Sequence, residues 1–232
     1  MRSRLAIFDV DGTLTQTNSV DDECYCRAAA DALGVTAAEI AWTDSPHITD
    51  SGIADWLWTV HRGRSPTGAE IAELRQRFVE LLERERTESP HRFQPVEGAR
   101  DAMARLQSSG WSIAIATGAW GASAAIKLNA IGFTCADLTF ACADDAPSRY
   151  EIVQLARSRA EARTGSVFDR VVSVGDARWD VRTARELGLP FVGVGRGGRA
   201  ERLRAAEATM ILPDLSDWRL VLEHLEHAAV PS

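Results

Sequence analysis

Lysine is almost missing from this chain. Of 26 basic residues, 25 are arginines, and Lys127 is the one lysine. Any chemistry that needs a lysine amine must use that residue. Long hydrophobic runs are missing too: no apolar stretch approaches the roughly 18 residues that would suggest a membrane span, so none is expected. Basic charge is not in excess. The formal charge is −7 and the sequence pI is about 5.3, which argues against an electrostatic grip on nucleic acid or anionic lipid. Cysteine is scarce, with Cys24, Cys26, Cys135 and Cys142 the only four. Cys24 and Cys26 stand too close for a typical disulfide, and a Cys24-x-Cys26 metal site would need two more ligands. They are expected to be buried or half-buried helix cysteines. The apolar run Leu5-Ala6-Ile7-Phe8 stops at Asp9, short of the roughly 7–15 apolar residues of a secretion signal. A reducing cytoplasm is therefore expected.

What is present is an ordinary globular composition. The 232 residues are 45% hydrophobic and 25% charged, enough for one to two domains with a full core. Short strand-like runs recur at Leu5–Phe8, Ser112–Ala116, Leu138–Cys142, Val171–Val174, Phe191–Val194 and Met210–Leu212. Helical patterns separate the later ones, near 97–109, 121–130, 148–162, 180–187, 199–207 and 216–227. Alternation of this kind predicts an α/β protein with a Rossmann-like parallel sheet covered on both faces. The runs are continuously apolar, as strands buried on both faces must be. Residues 16–94 carry no strand pattern. Helices are expected there at about 20–33, 36–42, 51–61 and 68–86. Thr36-x-x-Glu39 and Thr67-x-x-Glu70 both fit a capping box, and Gly34 can stop the first helix. A small all-helical block thus interrupts an α/β core made of 1–15 and 95–232.

In open parallel sheets ligands bind beyond the carboxyl ends of the strands. The residues at those ends are acidic, hydroxylic or glycine: Asp9-Val10-Asp11-Gly12-Thr13, then Thr117-Gly118, then Gly175-Asp176 with Asp180. Carboxylates gathered this closely raise one another's pKa or need a cation. An all-oxygen acidic set suits Mg²⁺, which keeps waters and binds substrate phosphate. Gly12 and Gly118 let backbone amides approach an anion. The set as a whole suits phosphoryl transfer, which needs positioning and charge stabilisation more than covalent chemistry.

These residues carry a resemblance. The chain resembles the haloacid dehalogenase-like (HAD) hydrolase superfamily, and within it the phosphoglycolate phosphatase-like branch with a helical cap inserted after the first motif. Asp9-Val10-Asp11-Gly12-Thr13-Leu14-Thr15 is similar to the DxDGT first motif. Ile115-Ala116-Thr117-Gly118 is similar to the second, and Gly175-Asp176-Ala177-Arg178-Trp179-Asp180 to the fourth. The third motif is a basic residue at a helix start, usually lysine. Arg149, 32 residues past Thr117, fits that place; Lys127, ten residues past Thr117, is the rival. An arginine keeps the charge and can hold phosphate through two bonds.

The resemblance implies a Mg²⁺-dependent phosphatase acting on a small soluble phosphorylated metabolite. Asp9 would be the nucleophile and form an aspartyl-phosphate. Asp11 would be the general acid and then base. The metal would be held by Asp9, the Asp11 carbonyl and Asp176, with Asp180 assisting. Gly12, Thr117, Gly118 and Arg149 would hold the phosphoryl oxygens. Residues 16–94 would be the cap, closing over the site and excluding water. Dehalogenation is disfavoured because Asp11 is present. Schiff-base phosphonate cleavage is disfavoured because 16–94 contains no lysine. A phosphomutase of the same fold, or a non-catalytic phosphoacceptor, stays open as the alternative. Thr49-Asp50-Ser51-Gly52-Ile53 resembles a cap segment of the phosphoglycolate phosphatase-like branch. His47, Thr49, Arg62 and Trp120 are expected to face the cleft. A monomer is expected, with oligomers open. Gly193-x-Gly195-x-x-Gly198 fits a dinucleotide pattern but follows a late strand, so a flexible loop is expected. His224-x-x-His227 is expected to lie on a solvated terminal helix.

Overall fold

The computed structural model describes residues 3–232. Its centre is a six-stranded sheet, all parallel, with strands β1 (Arg4–Phe8), β2 (Trp111–Ala116), β3 (Thr139–Ala141), β4 (Arg170–Gly175), β5 (Phe191–Val194) and β6 (Ile211–Leu212). The spatial order is β3-β2-β1-β4-β5-β6. The chain builds outward one way from β1 and then restarts on its other side with β4. That reversal leaves a crevice at the carboxyl ends of β1 and β4.

Strand alternation divides the core into two layers. Ala6 and Phe8 of β1 face one layer, with Met103 and Leu106 of α4 (Ala99–Ser108), Leu128 of α5 (Gly121–Ala130) and Val221 and Leu225 of α9 (Trp218–His227). Leu5 and Ile7 face the other, with Ile152 and Ala156 of α6 (Arg149–Thr164), Val181 of α7 (Arg178–Glu186) and Leu203 of α8 (Gly198–Ala205). Full burial of each such side chain stabilises by roughly 1.5–3 kcal/mol. Their period-2 alternation is what fixes the register.

Between β1 and α4 lie three further helices, α1 (Asn18–Leu33), α2 (Asp50–Arg62) and α3 (Gly68–Glu88). Their shared core includes Tyr25, Leu57, Trp58, Leu74, Phe78 and Leu82. The starts and stops follow local chemistry. Thr67 and Glu70 close a capping box on α3, Thr49 Oγ1 accepts from the Gly52 amide on α2, and Gly34 and Gly63 end α1 and α2 in the left-handed conformation. The helix expected at 36–42 is not formed. The Thr36–Glu39 capping box is present, yet only two single 3₁₀ turns follow, at Ala37–Glu39 and Trp42–Asp44. A box satisfies orphan amides, but the run to Pro46 offers no apolar stripe to bury.

The two chain crossings run side by side. Thr15 and Pro95 form an isolated antiparallel bridge, flanked by Gln16 N–H to the Gln94 carbonyl and Val96 N–H to the Leu14 carbonyl. Among the described residues all four cysteines are free, and no helix is long and apolar enough to cross a membrane. His227 lies at the end of α9, its Nδ1 beside the Glu223 carbonyl of its own helix.

Candidate active site

The crevice at the strand reversal carries the acidic cluster. Asp9 leaves the end of β1 and is buried; its amide donates to the Val174 carbonyl of β4. Asp176 leaves β4, and Asp180 sits in the first turn of α7, where its Oδ2 accepts from the Ala177 amide. Oxygens of Asp9, Asp176 and Asp180 all lie within 4.8 Å of one another, and all three side chains are buried. Burial raises all three carboxyls. Neighbouring Asp180 adds to the rise at Asp9 and at Asp176, which reaches about 7. Such a set of buried, all-oxygen donors fits a hard divalent ion such as Mg²⁺. The turn between Asp11 and Thr13 needs glycine. Gly12 has φ +80°, and a Cβ there would stand 2.0 Å from Asp176 Oδ2.

Arg149 opens α6 behind the cap residue Ser148, whose hydroxyl accepts from the Glu151 amide. Its Nη1 reaches Asp9 Oδ1 at 3.2 Å and Asp180 Oδ1 at 3.0 Å, while Nε donates to the Ile48 carbonyl at 2.8 Å. Gly118 makes room for it: a Cβ there would meet Arg149 Nη2 at 2.7 Å. Thr117 is buried at the end of β2, its Oγ1 accepting from the Ala119 amide. Six of the expected residues, Asp9, Asp11, Gly12, Thr117, Gly118 and Arg149, thus meet Asp176 and Asp180 at one end of the sheet.

Lys127 does not stand beside Asp9. It projects from α5, fully buried, with its ammonium 2.6 Å from Asp11 Oδ2 and 2.6 Å from Asp21 Oδ1. Burial alone would lower its pKa, but Asp11, Asp21 and Asp50 outweigh this and hold it well above the usual lysine range. The other Asp11 oxygen accepts from Thr17 Oγ1 at 2.5 Å. The geometry therefore puts the arginine at Asp9 and the lysine at Asp11.

The expected cleft-facing residues of 16–94 divide. Thr49 lines the cleft, and its hydroxyl donates to the Pro147 carbonyl at 2.6 Å. His47 is exposed and off the cleft lining. Arg62 is turned away. At the last turn of α2 it donates to the Leu33 carbonyl at 2.7 Å, satisfying an orphan acceptor at the end of α1. Trp120 sits one layer behind the cleft. It is fully buried against Tyr25 and Phe78, with its indole N–H on Ser51 Oγ. Packing against Tyr25 and Phe78 makes its inward position more favourable than a wet one.

Sequence reasoning missed several contacts. Arg199 follows the glycine-bearing loop after β5 and reaches Asp176 Oδ2 at 3.2 Å and the Gly12 carbonyl at 3.2 Å. Gly195 clears its path, since a Cβ there would stand 2.7 Å from the Arg199 side chain. So the loop expected to be merely flexible delivers a cation to the acidic cluster. Asn18 Nδ2 adds a donor to Asp176 at 3.3 Å. The rest of the cleft is lined by Asp21, Asp22, Tyr25, Trp42, Asp50, Ile53 and Trp179. The space is narrow, about 70 Å³. Segment 48–51 closes it: the Asp50 amide donates to the Gly118 carbonyl, Ser51 Oγ donates to the Ala143 carbonyl, and the Trp120 amide donates to Asp50 Oδ2.

Comparison with known proteins agrees with this geometry. Residues 4–188 match the family model described as haloacid dehalogenase-like hydrolase. The chain is 32% identical over 192 residues to a phosphoglycolate phosphatase of Cereibacter sphaeroides, covering 80% of this chain and 82% of that protein. It is 24% identical over 228 residues to the phosphoglycolate phosphatase of Mesorhizobium japonicum, covering 91% of each. Among solved structures, a hydrolase from Pseudomonas syringae superposes with a TM-score of 0.73 at 22% identity, over 99% of this chain and all of that one.

Proposed function

Because this chain belongs to the haloacid dehalogenase-like hydrolase family, we propose that it is a Mg²⁺-dependent phosphatase that hydrolyses a small soluble phosphomonoester through a phosphorylated Asp9. The observation that carries this reading is the buried triad of Asp9, Asp176 and Asp180 with the Arg149 guanidinium against it. Relatives named as phosphoglycolate phosphatases support the class of reaction.

The division of labour follows from position. Asp9 attacks phosphorus in line; its carboxylate oxygen gains the P–O bond as the ester P–O bond breaks. Asp11 gives the departing oxygen its proton and then takes one from the water that attacks phosphorus, breaking the bond from phosphorus to Asp9 and releasing phosphate. Thr17 and Lys127 hold the two Asp11 oxygens and fix where that proton is delivered. Arg149, Thr117 and the Gly118 amide face the phosphoryl oxygens, where charge grows in the transition state. Asp9, the Asp11 carbonyl and Asp176 would hold Mg²⁺, with Asp180 assisting. When bound, the ion offsets phosphate charge and orients the phosphoryl group.

On this reading residues 16–94 are the cap and 1–15 with 95–232 the catalytic core, a division supported by the paired crossings at Thr15 and Pro95. The narrow cleft supports a small substrate, admitted as the cap parts. Four free thiols fit a reducing cytoplasm.

The test is metal dependence read two ways. Chelation should abolish phosphate release from an aryl phosphate, and added Mg²⁺ should restore it. Stability should respond with a defined sign. Burial, with Asp180 beside it, holds the Asp176 carboxyl at about 7 in the folded metal-free protein. A carboxyl raised on folding stabilises below its unfolded pKa of about 4, and that contribution is lost as pH rises through about 7. Mg²⁺ competes with those protons. Its effect on Tm should therefore be larger near pH 8 than near pH 6, several degrees at saturation on the order of 100 Kd. An equal or larger effect near pH 6 would remove Asp176 from the metal site.

A further inference from the structure

We propose that the natural leaving group carries a positive charge: the substrate is an aminoalkyl phosphate rather than a phosphorylated carboxylic acid. This rests on the phosphatase reading and concerns the half of the cleft beyond the phosphoryl site.

That half is acidic and aromatic. Asp21, Asp22 and Asp50 line it with Tyr25, Trp42 and Trp179. Among the described residues Arg149 is the one basic residue in the lining, and its guanidinium is taken by Asp9, Asp180 and the Ile48 carbonyl. Lys127 lies behind the lining with its ammonium on Asp11 and Asp21. A carboxylate on the leaving group would meet like charges and find no free cation, a mismatch that disfavours binding.

Two carboxylates have unused acceptor capacity. Asp50 is 6% exposed; its Oδ2 accepts from the Trp120 amide, and no donor among the described residues reaches its Oδ1. Asp50 lines the cleft, and a carboxylate oxygen there can accept from a ligand ammonium. Asp22, on the open side of α1, has no hydrogen-bond or ion-pair partner among the described residues. Burial pushes Asp22 up to about 6 and Asp50 up to about 7, the direction a nearby cation would reverse.

The walls suit an organic cation. Trp42 meets Trp179 edge to face, with ring centres 6.2 Å apart. Indole faces attract ammonium groups. A second metal ion fits less well. Among the described residues only Asp9, Asp176 and Asp180 bring three carboxylate oxygens within 4.8 Å of one another, and Asp21, Asp22 and Asp50 do not.

The experiment compares kcat/KM of the full chain with Mg²⁺ on 2-aminoethyl phosphate, neutral ethyl phosphate and phosphoglycolate. p-Nitrophenyl phosphate reports the reaction class. The expected order places the amine first, ahead of phosphoglycolate by about 100-fold or more, equivalent to about 2.8 kcal/mol. Asp22→Asn, at a site open enough to leave folding intact, should narrow that ratio about tenfold. Phosphoglycolate or ethyl phosphate preferred over the amine would overturn the inference while the phosphatase reading stands. A ratio unmoved by Asp22→Asn would overturn the pocket assignment. Failure to release phosphate from p-nitrophenyl phosphate or any of the others would overturn the reading beneath it.

Discussion

Asp9→Asn lowers steady phosphate release by on the order of 10⁴-fold or more while leaving the fold intact, the size seen when a nucleophile that works with its neighbours is removed. An amide has nearly the shape of the carboxylate but neither its nucleophilicity nor its charge. It also takes one oxygen from the metal set of Asp9, Asp176 and Asp180. Stability should move the other way. Burial raises the Asp9 carboxyl well above its usual range, and Asp180, Asp176 and Asp11 raise it further against the opposing Arg149. Near pH 8 the metal-free wild type therefore holds a charge that folding disfavours, and asparagine does not. The chelated variant should melt at or above the wild-type Tm, a gain in stability bought by loss of function. Residual turnover within tenfold of wild type would remove Asp9 as nucleophile, by the convention that 1.4 kcal/mol is tenfold.

The two buried cations should fail in different ways. Arg149→Ala should lower kcat/KM about 10³-fold, the scale of an arginine or fixed donor acting on a transferring phosphoryl group. Its fold should survive, because what it leaves behind is the acidic cluster that Mg²⁺ can neutralise. Lys127→Met should instead destabilise by about 3–5 kcal/mol, since it strands Asp11 and Asp21 beside a fully buried site. For a chain of this size that is a fall in Tm on the order of 6–20 °C. Urea melts and kcat/KM, both at a temperature where each variant is folded, separate the two. A loss of less than about tenfold for Arg149→Ala would remove Arg149 as the phosphate cation.

Much of this is legible in the sequence, for a physical reason. A strand buried on both faces is a continuous apolar run, and the polar residue that ends it is conspicuous. Asp9 after Phe8, Thr117 after Ala116 and Asp176 after Gly175 stand out in this way. Arg149 was readable because a helix start announces itself through Ser148-x-x-Glu151. The short helix at 36–42 was misread because a capping box marks a start without guaranteeing a buried stripe to continue it. The partners were hidden by distance along the chain. Lys127 meets Asp11 across 116 residues, and Arg199 meets the Gly12 carbonyl across 187. No local pattern encodes such pairs. Arg62 misled because its charge and its place beside the cap segment suggested a ligand, whereas its work is to satisfy the end of α1. Asp22 gives no signal in the sequence, since nothing local marks it as a neighbour of Trp42 and Trp179 across the cleft.

The central claim, covalent transfer to Asp9, is tested most directly by acid quench and peptide mass spectrometry. Wild-type enzyme with Mg²⁺ and p-nitrophenyl phosphate is stopped within the first turnover and digested. The account predicts one added phosphoryl group on the peptide carrying Asp9, and none on that peptide from Asp9→Asn. Phosphoryl on another residue, or turnover with every peptide unmodified from the first turnover onward, would contradict it.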